Sequence, residues 1–206
     1  FEYQGEDLAV YERMACDPEF FVAIMMDVFV ADDVDPGETE TTPEQRNRAS
    51  ISYHILTHNK RVPGQKKGKI NQAELDAWIN GMKEEALKQK RTKIVPSYIG
   101  RTLAHAAEAN GVWPPPEVAS AIERLRSDDV EQSIMIERFN MRGVYTKSLF
   151  EGGNQERDLA AQYRRWSMAH VKFPRTKALL VAIAEQWDRD AKRADEAAER
   201  DKIRFG

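Results

Sequence analysis

Four groups of residues in this 206-residue chain have types and spacings that could do chemistry. His54 and His58 stand four apart in HILTH, which puts two imidazoles on one helical face, as in zinc sites. A metalloprotease helix needs Glu directly after the first His, and Ile55 stands there instead. A third ligand is not evident, so no metal and no cofactor is expected. Gly68-Lys69-Ile70 followed by Glu74 imitates the second half of a calcium loop. The acids of such a loop would fall at Pro63, Gln65 and Lys67, so the match reduces to a turn and a helix cap.

The third group is residues 142–157, RGVYTKSLFEGGNQER, the one long break in a chain that otherwise reads as helix after helix. Interhelical loops of this length are usually functional or disordered. It offers Arg142, Tyr145, Lys147, Glu151, Glu156 and Arg157. Gly152-Gly153 before Asn154 places a flexible turn at a helix start, which could receive an anion or a partner's carboxylate. The segment lacks the spacing of a phosphate-binding loop and follows no strand. Glu151 and Glu156 could in principle act as acid and base, yet no nucleophile–base arrangement rises above composition. The leading expectation is therefore a docking surface made by Arg142, Tyr145, Glu151, Glu156 and Arg157 with the adjoining Trp113. A capped, ion-paired turn is the plainer alternative.

The fourth group is basic. Segments 59–69 (NKRVPGQKKGK) and 83–93 (KEEALKQKRTK) supply Lys60, Arg61, Lys66, Lys67, Lys88, Lys90 and Arg91, which could neutralise phosphates. Few aromatic residues are interleaved for base stacking, and Glu84 and Glu85 interrupt the second run. Nucleic-acid binding is thus the alternative function, against a solvated basic face. Trp78, Trp113, Trp166 and Trp187 each lie on or beside an apolar stripe and read as core.

The elements that must position these groups are helical. Apolar residues make up 41% and charged residues 32%, a globular balance that can bury one sizeable core. An all-α fold follows, an irregular bundle or short stack of helical hairpins with eight or nine helices. A single domain is expected, with a candidate subdivision near 110–116 and an exposed or frayed end at 190–206. The longest apolar run, 20–30, is broken by Asp27 and too short to span a bilayer, so no membrane contact is expected. The chain opens FEYQG, with no Met and no signal pattern, which points to part of a longer protein. A lone Cys16, expected as a buried inert thiol, fits a reducing, cytoplasmic setting. Net charge is −3 but uneven: residues 1–50 carry −10 and residues 51–100 carry +6. Intramolecular neutralisation is the simpler account of that asymmetry.

Periodicity and caps give the boundaries. Leu8, Tyr11 and Ala15 mark a first helix ended by Asp17-Pro18. Residues 20–30 should be the central buried helix, and 31–41 an acidic loop. Thr42-Pro43-Glu44-Gln45 is a capping box, opening a helix to His58 with Ile51 and Ile55 inward. Asn71 caps the next helix, whose stripe is Leu75, Trp78, Ile79, Met82 and Ala86, with a kink expected at Asn80-Gly81. Pro96 opens a helix ended by Asn110-Gly111, and 113–116 is a stiff connector. Val118, Ile122 and Leu125 mark the next helix. Ser127 starts another, to Met141. Asn154 should cap a helix through Trp166 and His170, and Phe173-Pro174 separates it from the last. No strand is expected.

The pieces DPEFFVAIMMDVF (17–29), GKINQAELDAWI (68–79), NGVWPPPEV (110–118), and NMRGVY with GGNQERDLAAQYRRW (140–166), in that order, resemble the carboxyl-terminal helical region of large, poorly characterised bacterial proteins. The resemblance implies a non-catalytic helical module attached to other domains, whose partners are those domains or another protein. It carries over no functional residue.

Overall fold

The computed structural model describes residues 9–35, 41–148 and 151–205. The described residues form α1 (Ala9–Cys16), α2 (Pro18–Met26), α3 (Pro43–His58), β1 (Gln65–Lys66), β2 (Lys69–Ile70), α4 (Gln72–Lys88), α5 (Val95–Ala104), α6 (Pro116–Leu125), α7 (Asp128–Asn140), α8 (Asn154–Ala169) and α9 (Pro174–Phe205). The fold is all-α. Leu8, the 36–40 part of the acidic loop and the expectation about the chain's start lie outside the described residues.

One continuous core runs through the bundle. The α4 stripe of Leu75, Trp78, Ile79, Met82 and Ala86 is buried throughout, against Met14, Phe21 and Met25 of α1 and α2. Trp78 donates its Nε1–H to the Met14 carbonyl at 2.8 Å and meets Phe21 edge-on. The other half centres on the α8–α9 hairpin. Arg164 pairs with Asp188, and Arg157 with Asp195 at 2.7 Å. As the α8 number falls by seven the α9 number rises by seven, so the two helices are antiparallel and in register. Leu180, Ile183 and Ala184 of α9 face Val118, Ala119 and Ile122 across this half of the core. No described helix is long and apolar enough to cross a membrane.

Several boundaries follow from side-chain chemistry. Thr42 accepts from Gln45 N while Gln45 Oε1 accepts from Thr42 N, the reciprocal box its sequence calls for. Asn71 Oδ1 accepts from both Ala73 N and Glu74 N. Asp17 and Ser127 cap α2 and α7.

Other expectations are corrected. A two-residue hairpin exists, β1 pairing with β2 through a turn in which Lys67 and Gly68 both take positive φ. That turn suits the twist of the two strands, and Lys-Gly is a weak sequence signal for it. Ile51 is 55% exposed, while Ile55 packs partly buried against the core and Ser52 and Leu56 are the buried residues of this helix. The inward face is thus rotated by one residue, and it lets Ser52 donate to Asp27 at 2.8 Å. Gly81 does not interrupt α4. A Cβ there would sit 2.7 Å from Pro18 Cγ, so the glycine serves the close approach of α2. Cys16 is exposed at the end of α1. The buried helix α2 stops at Met26, and α5 stops at Ala104, well before Asn110-Gly111. The cap residue of α8 is Gly153, with Asn154 its first helical residue. Residues 190–198 stay against the bundle, with Ala191 and Ala198 buried.

The charge asymmetry is answered within the chain. Asp33 pairs with Lys90 at 2.7 Å, and Glu12 with Arg61 at 3.3 Å. Asp32 accepts from the Thr92 hydroxyl and from the Thr92 and Lys93 amides. Its carboxyl lies below the usual range, chiefly through the Thr92 hydroxyl and, against desolvation, with the help of the Thr92 and Lys93 amides.

Candidate functional site

The described residues of 142–157 close around a single carboxylate. Glu156, on the first turn of α8, is 2% exposed. Its Oε1 accepts from Arg142 Nη1 at 2.6 Å and its Oε2 from Lys147 Nζ at 2.6 Å. The two cations approach from the end of α7 and the middle of the loop, so one acid closes the loop onto the helix that follows. Burial works to raise the Glu156 carboxyl. The hydrogen bonds from Lys147 and Arg142 together outweigh it, and the group sits below its ordinary value. It is therefore ionised, with both oxygens occupied.

The neighbours complete the cage. Lys147 also donates to Gly152 O at 2.9 Å, and Gln155 bridges Thr146 O and Glu151 Oε1. Glu151 Oε2 accepts from Ser148 N. That bond, with the one from Gln155, holds the Glu151 carboxyl below the usual range. Asp195 of α9 accepts from Gly153 N at 2.8 Å, fastening the turn to the last helix. The oxygens of both Glu151 and Glu156 thus accept hydrogen bonds from neighbouring groups of the loop and of α8.

This cage decides what the loop presents. The Arg142 guanidinium lies 3.4 Å from the Tyr145 ring centroid and 5.1 Å from that of Trp187. Tyr145 is half exposed, and Val144 beside it is fully exposed. Tyr145 lines an open groove of about 690 Å³ between α7 and α9, floored by Met135, Phe139 and Trp187, with Ile136 exposed on its flank. Arg193, Asp190 and Lys147 stand on its rim.

The expected docking residues therefore separate. Tyr145 and Arg157 are accessible, while Arg142 and Glu156 are internal struts. Trp113 is wholly buried and is withdrawn from the surface. Its ring is covered by the Arg138 guanidinium at 4.2 Å and packs edge-on against Tyr163. Arg138 in turn donates to Tyr163 Oη at 2.9 Å and to Ala104 O. Residues 113–115 are buried while Pro116 is exposed, and His170 reaches Pro114 O at 2.9 Å. Val144 and Ile136 were not among the expected contacts. An apolar–aromatic pair, Val144-Tyr145, inside a polar loop was the available signal.

The basic residues are dispersed. Lys88 pairs with Glu85, Lys66 with Glu74, Lys90 with Asp33 and Arg61 with Glu12. Arg91 is buried and donates to the carbonyls of Phe29 and Gln89. Of these seven, Lys60, Lys67 and Arg91 show no ion pair among the described residues. Phosphate contacts along a strand would compete with these partners. His54 and His58 stack with ring centroids 4.0 Å apart, and His58 Nδ1 faces His54 O. No cluster of three metal-ligating side chains occurs among the described residues.

The described residues thus form an all-helical fold in which an ion-paired loop lies beside an open groove. No protein-family model, curated protein or solved structure matches the chain.

Proposed function

We propose that this chain is a non-catalytic docking module of a larger intracellular bacterial protein. Its occupant is a segment of a protein partner that carries apolar side chains and an acidic residue. The observation that carries this is the placement of Tyr145. The cage around Glu156 holds it on a groove floored by Phe139 and Trp187, with Ile136 exposed on the flank and Val144 exposed beside it, and exposed apolar clusters of this kind mark interaction sites. The charges lining the groove are Arg142, Lys147, Arg193, Glu156 and Asp190, a net of +1. That surplus favours an acidic residue beside the apolar anchors. The sequence resemblance supports the setting, and an exposed lone thiol at Cys16 suits a reducing compartment.

The test is site-specific photocrosslinking in cells at position 144, with position 172 at the other end of α8 as the control. A single partner captured from 144, absent from 172 and lost in the Ile136→Asp/Val144→Asp double variant, is the expected result. Equal capture at both positions, or capture indifferent to the double variant, would reject the groove as the docking surface. Arg142→Ala and Glu156→Ala are unsuitable here, because they release the loop itself.

A further inference from the structure

Helix α3 carries the two histidines of HILTH on its free side, and it lines no part of the groove between α7 and α9. Ser52 and Leu56 are its buried residues. His54 and His58 each stand two places further on, which is about 200° around the helix. Both therefore point away from the core, and both are exposed. The helix itself is fixed in place. The Thr42–Gln45 box opens it, Leu56 enters the core, and Asp27 accepts from Ser52 and pairs with Arg48 at 3.5 Å.

The two rings are already together. Their centroids lie 4.0 Å apart, with the planes tilted by 37°. His58 Nδ1 is 2.9 Å from His54 O. A carbonyl only accepts, so Nδ1 carries the proton, and the neutral ring keeps its lone pair on Nε2. Metal-bound histidines commonly donate their other ring nitrogen to a backbone carbonyl in this way, which fixes both tautomer and ring direction. His54 makes no side-chain hydrogen bond or ion pair among the described residues, so its ring is also available.

We propose that His54 and His58 form a surface chelate for a late first-row divalent transition-metal ion of the Zn²⁺ or Cu²⁺ kind. His58 ligates through Nε2 and His54 through one ring nitrogen, with water in the remaining positions. Imidazole suits these ions, whereas Mg²⁺ and Ca²⁺ take oxygen ligands. Two metal–nitrogen bonds of about 2.0–2.1 Å need their nitrogens about 3.3 Å apart. Two exposed rings reach that separation by side-chain rotation, with the helix unmoved. No third ligating side chain joins the pair among the described residues, so the chelate is open and exchangeable, unlike a closed structural site.

The test is an NMR titration of the intact chain with Zn²⁺ at about pH 7.5, above the ordinary histidine value. A Cys16→Ser background removes the exposed thiol, which would also take the ion. The other two histidines are internal controls, because the His105 ring is held by Glu137 and the His170 ring lies between two carbonyls. The expected result is a saturable shift of the His54 and His58 ring signals, with His105 and His170 unmoved and Mg²⁺ without effect. His54→Ala and His58→Ala should each weaken binding about tenfold or more, since the second imidazole binds intramolecularly. Both side chains are exposed, and an unchanged helical spectrum checks that the variants fold. Shifts that do not saturate, that Mg²⁺ reproduces, or that keep their affinity in either single variant would overturn the proposal.

Discussion

Arg142 Nη1 stands 2.6 Å from Glu156 Oε1, and the carboxylate between it and Lys147 is 2% exposed. Two cations and one acid from three stretches of chain thus share a desolvated site. Taking charges out of water is expensive, so such a site survives only while all members are present. Glu156→Ala leaves Arg142 and Lys147 facing each other in a half-buried pocket, and is expected to lower stability by about 3 kcal/mol. Urea unfolding measures this directly. A loss under about 1 kcal/mol would mean that the loop relaxes into water at little cost.

Acid should act through the same carboxylate. Glu156 is depressed in the folded chain, so its contribution is fully present above the ordinary carboxyl value and is lost as pH falls through the lower, folded value. Glu137 is depressed in the same sense by His105 and Arg101. Stability against pH should therefore fall on the acid side, below about pH 4.5. Glu156→Gln should flatten that limb while leaving the neutral-to-alkaline limb unchanged. An acid limb of undiminished steepness in the variant would assign it to other groups.

Arg138 joins two aromatic residues to the backbone. It stacks on Trp113, donates to Tyr163 Oη and reaches Ala104 O. Lysine cannot reproduce a planar group that stacks and donates in two directions. Arg138→Lys is expected to cost about 2 kcal/mol in a denaturation midpoint, most of what Arg138→Ala costs. Near-wild-type stability of the lysine variant would show that charge alone matters there.

Gly153 sits where the start of α8 meets α9. A Cβ would lie 2.3 Å from Ala191 O and 2.5 Å from Ala191 Cα, both backbone atoms that cannot swing aside. Gly100 of α5 is similarly placed, 2.3 Å from Val130 O of α7. Each alanine variant should lose about 1–3 kcal/mol through overpacking. Gly68→Ala, with open space around it, meets only the strain of positive φ and should lose about 1 kcal/mol. Thermal melts of the three variants would rank them, and a Gly68 variant worse than the other two would contradict the packing account.

Much of the helical layout was readable from local chemistry. Thr42 and Gln45 form a box because their spacing allows nothing else as good, and Leu75 to Ala86 repeat at the period of one buried face. The positions of Asn71, Ser127 and Pro174 set starts without help from the rest of the fold. Features that depend on a distant neighbour were not readable. Ile51 faces water because Ser52 has Asp27 to bond. Gly81 looked like a break because Pro18, which needs its missing Cβ, lies 63 positions away in the chain.

The site divides the same way. The sequence by itself determined that 142–157 interrupts the helices, that it is rich in charge, and which acids and bases it contains. Only the tertiary structure decided which of those charges face one another. Glu156 went inward because Arg142 and Lys147 could both reach it, and Trp113 went inward because Arg138 could cover its ring. Val144 and Tyr145 remained outside. A charge placed on a loop is local information, whereas its burial is set by partners brought from other helices, and those are fixed only when the core closes.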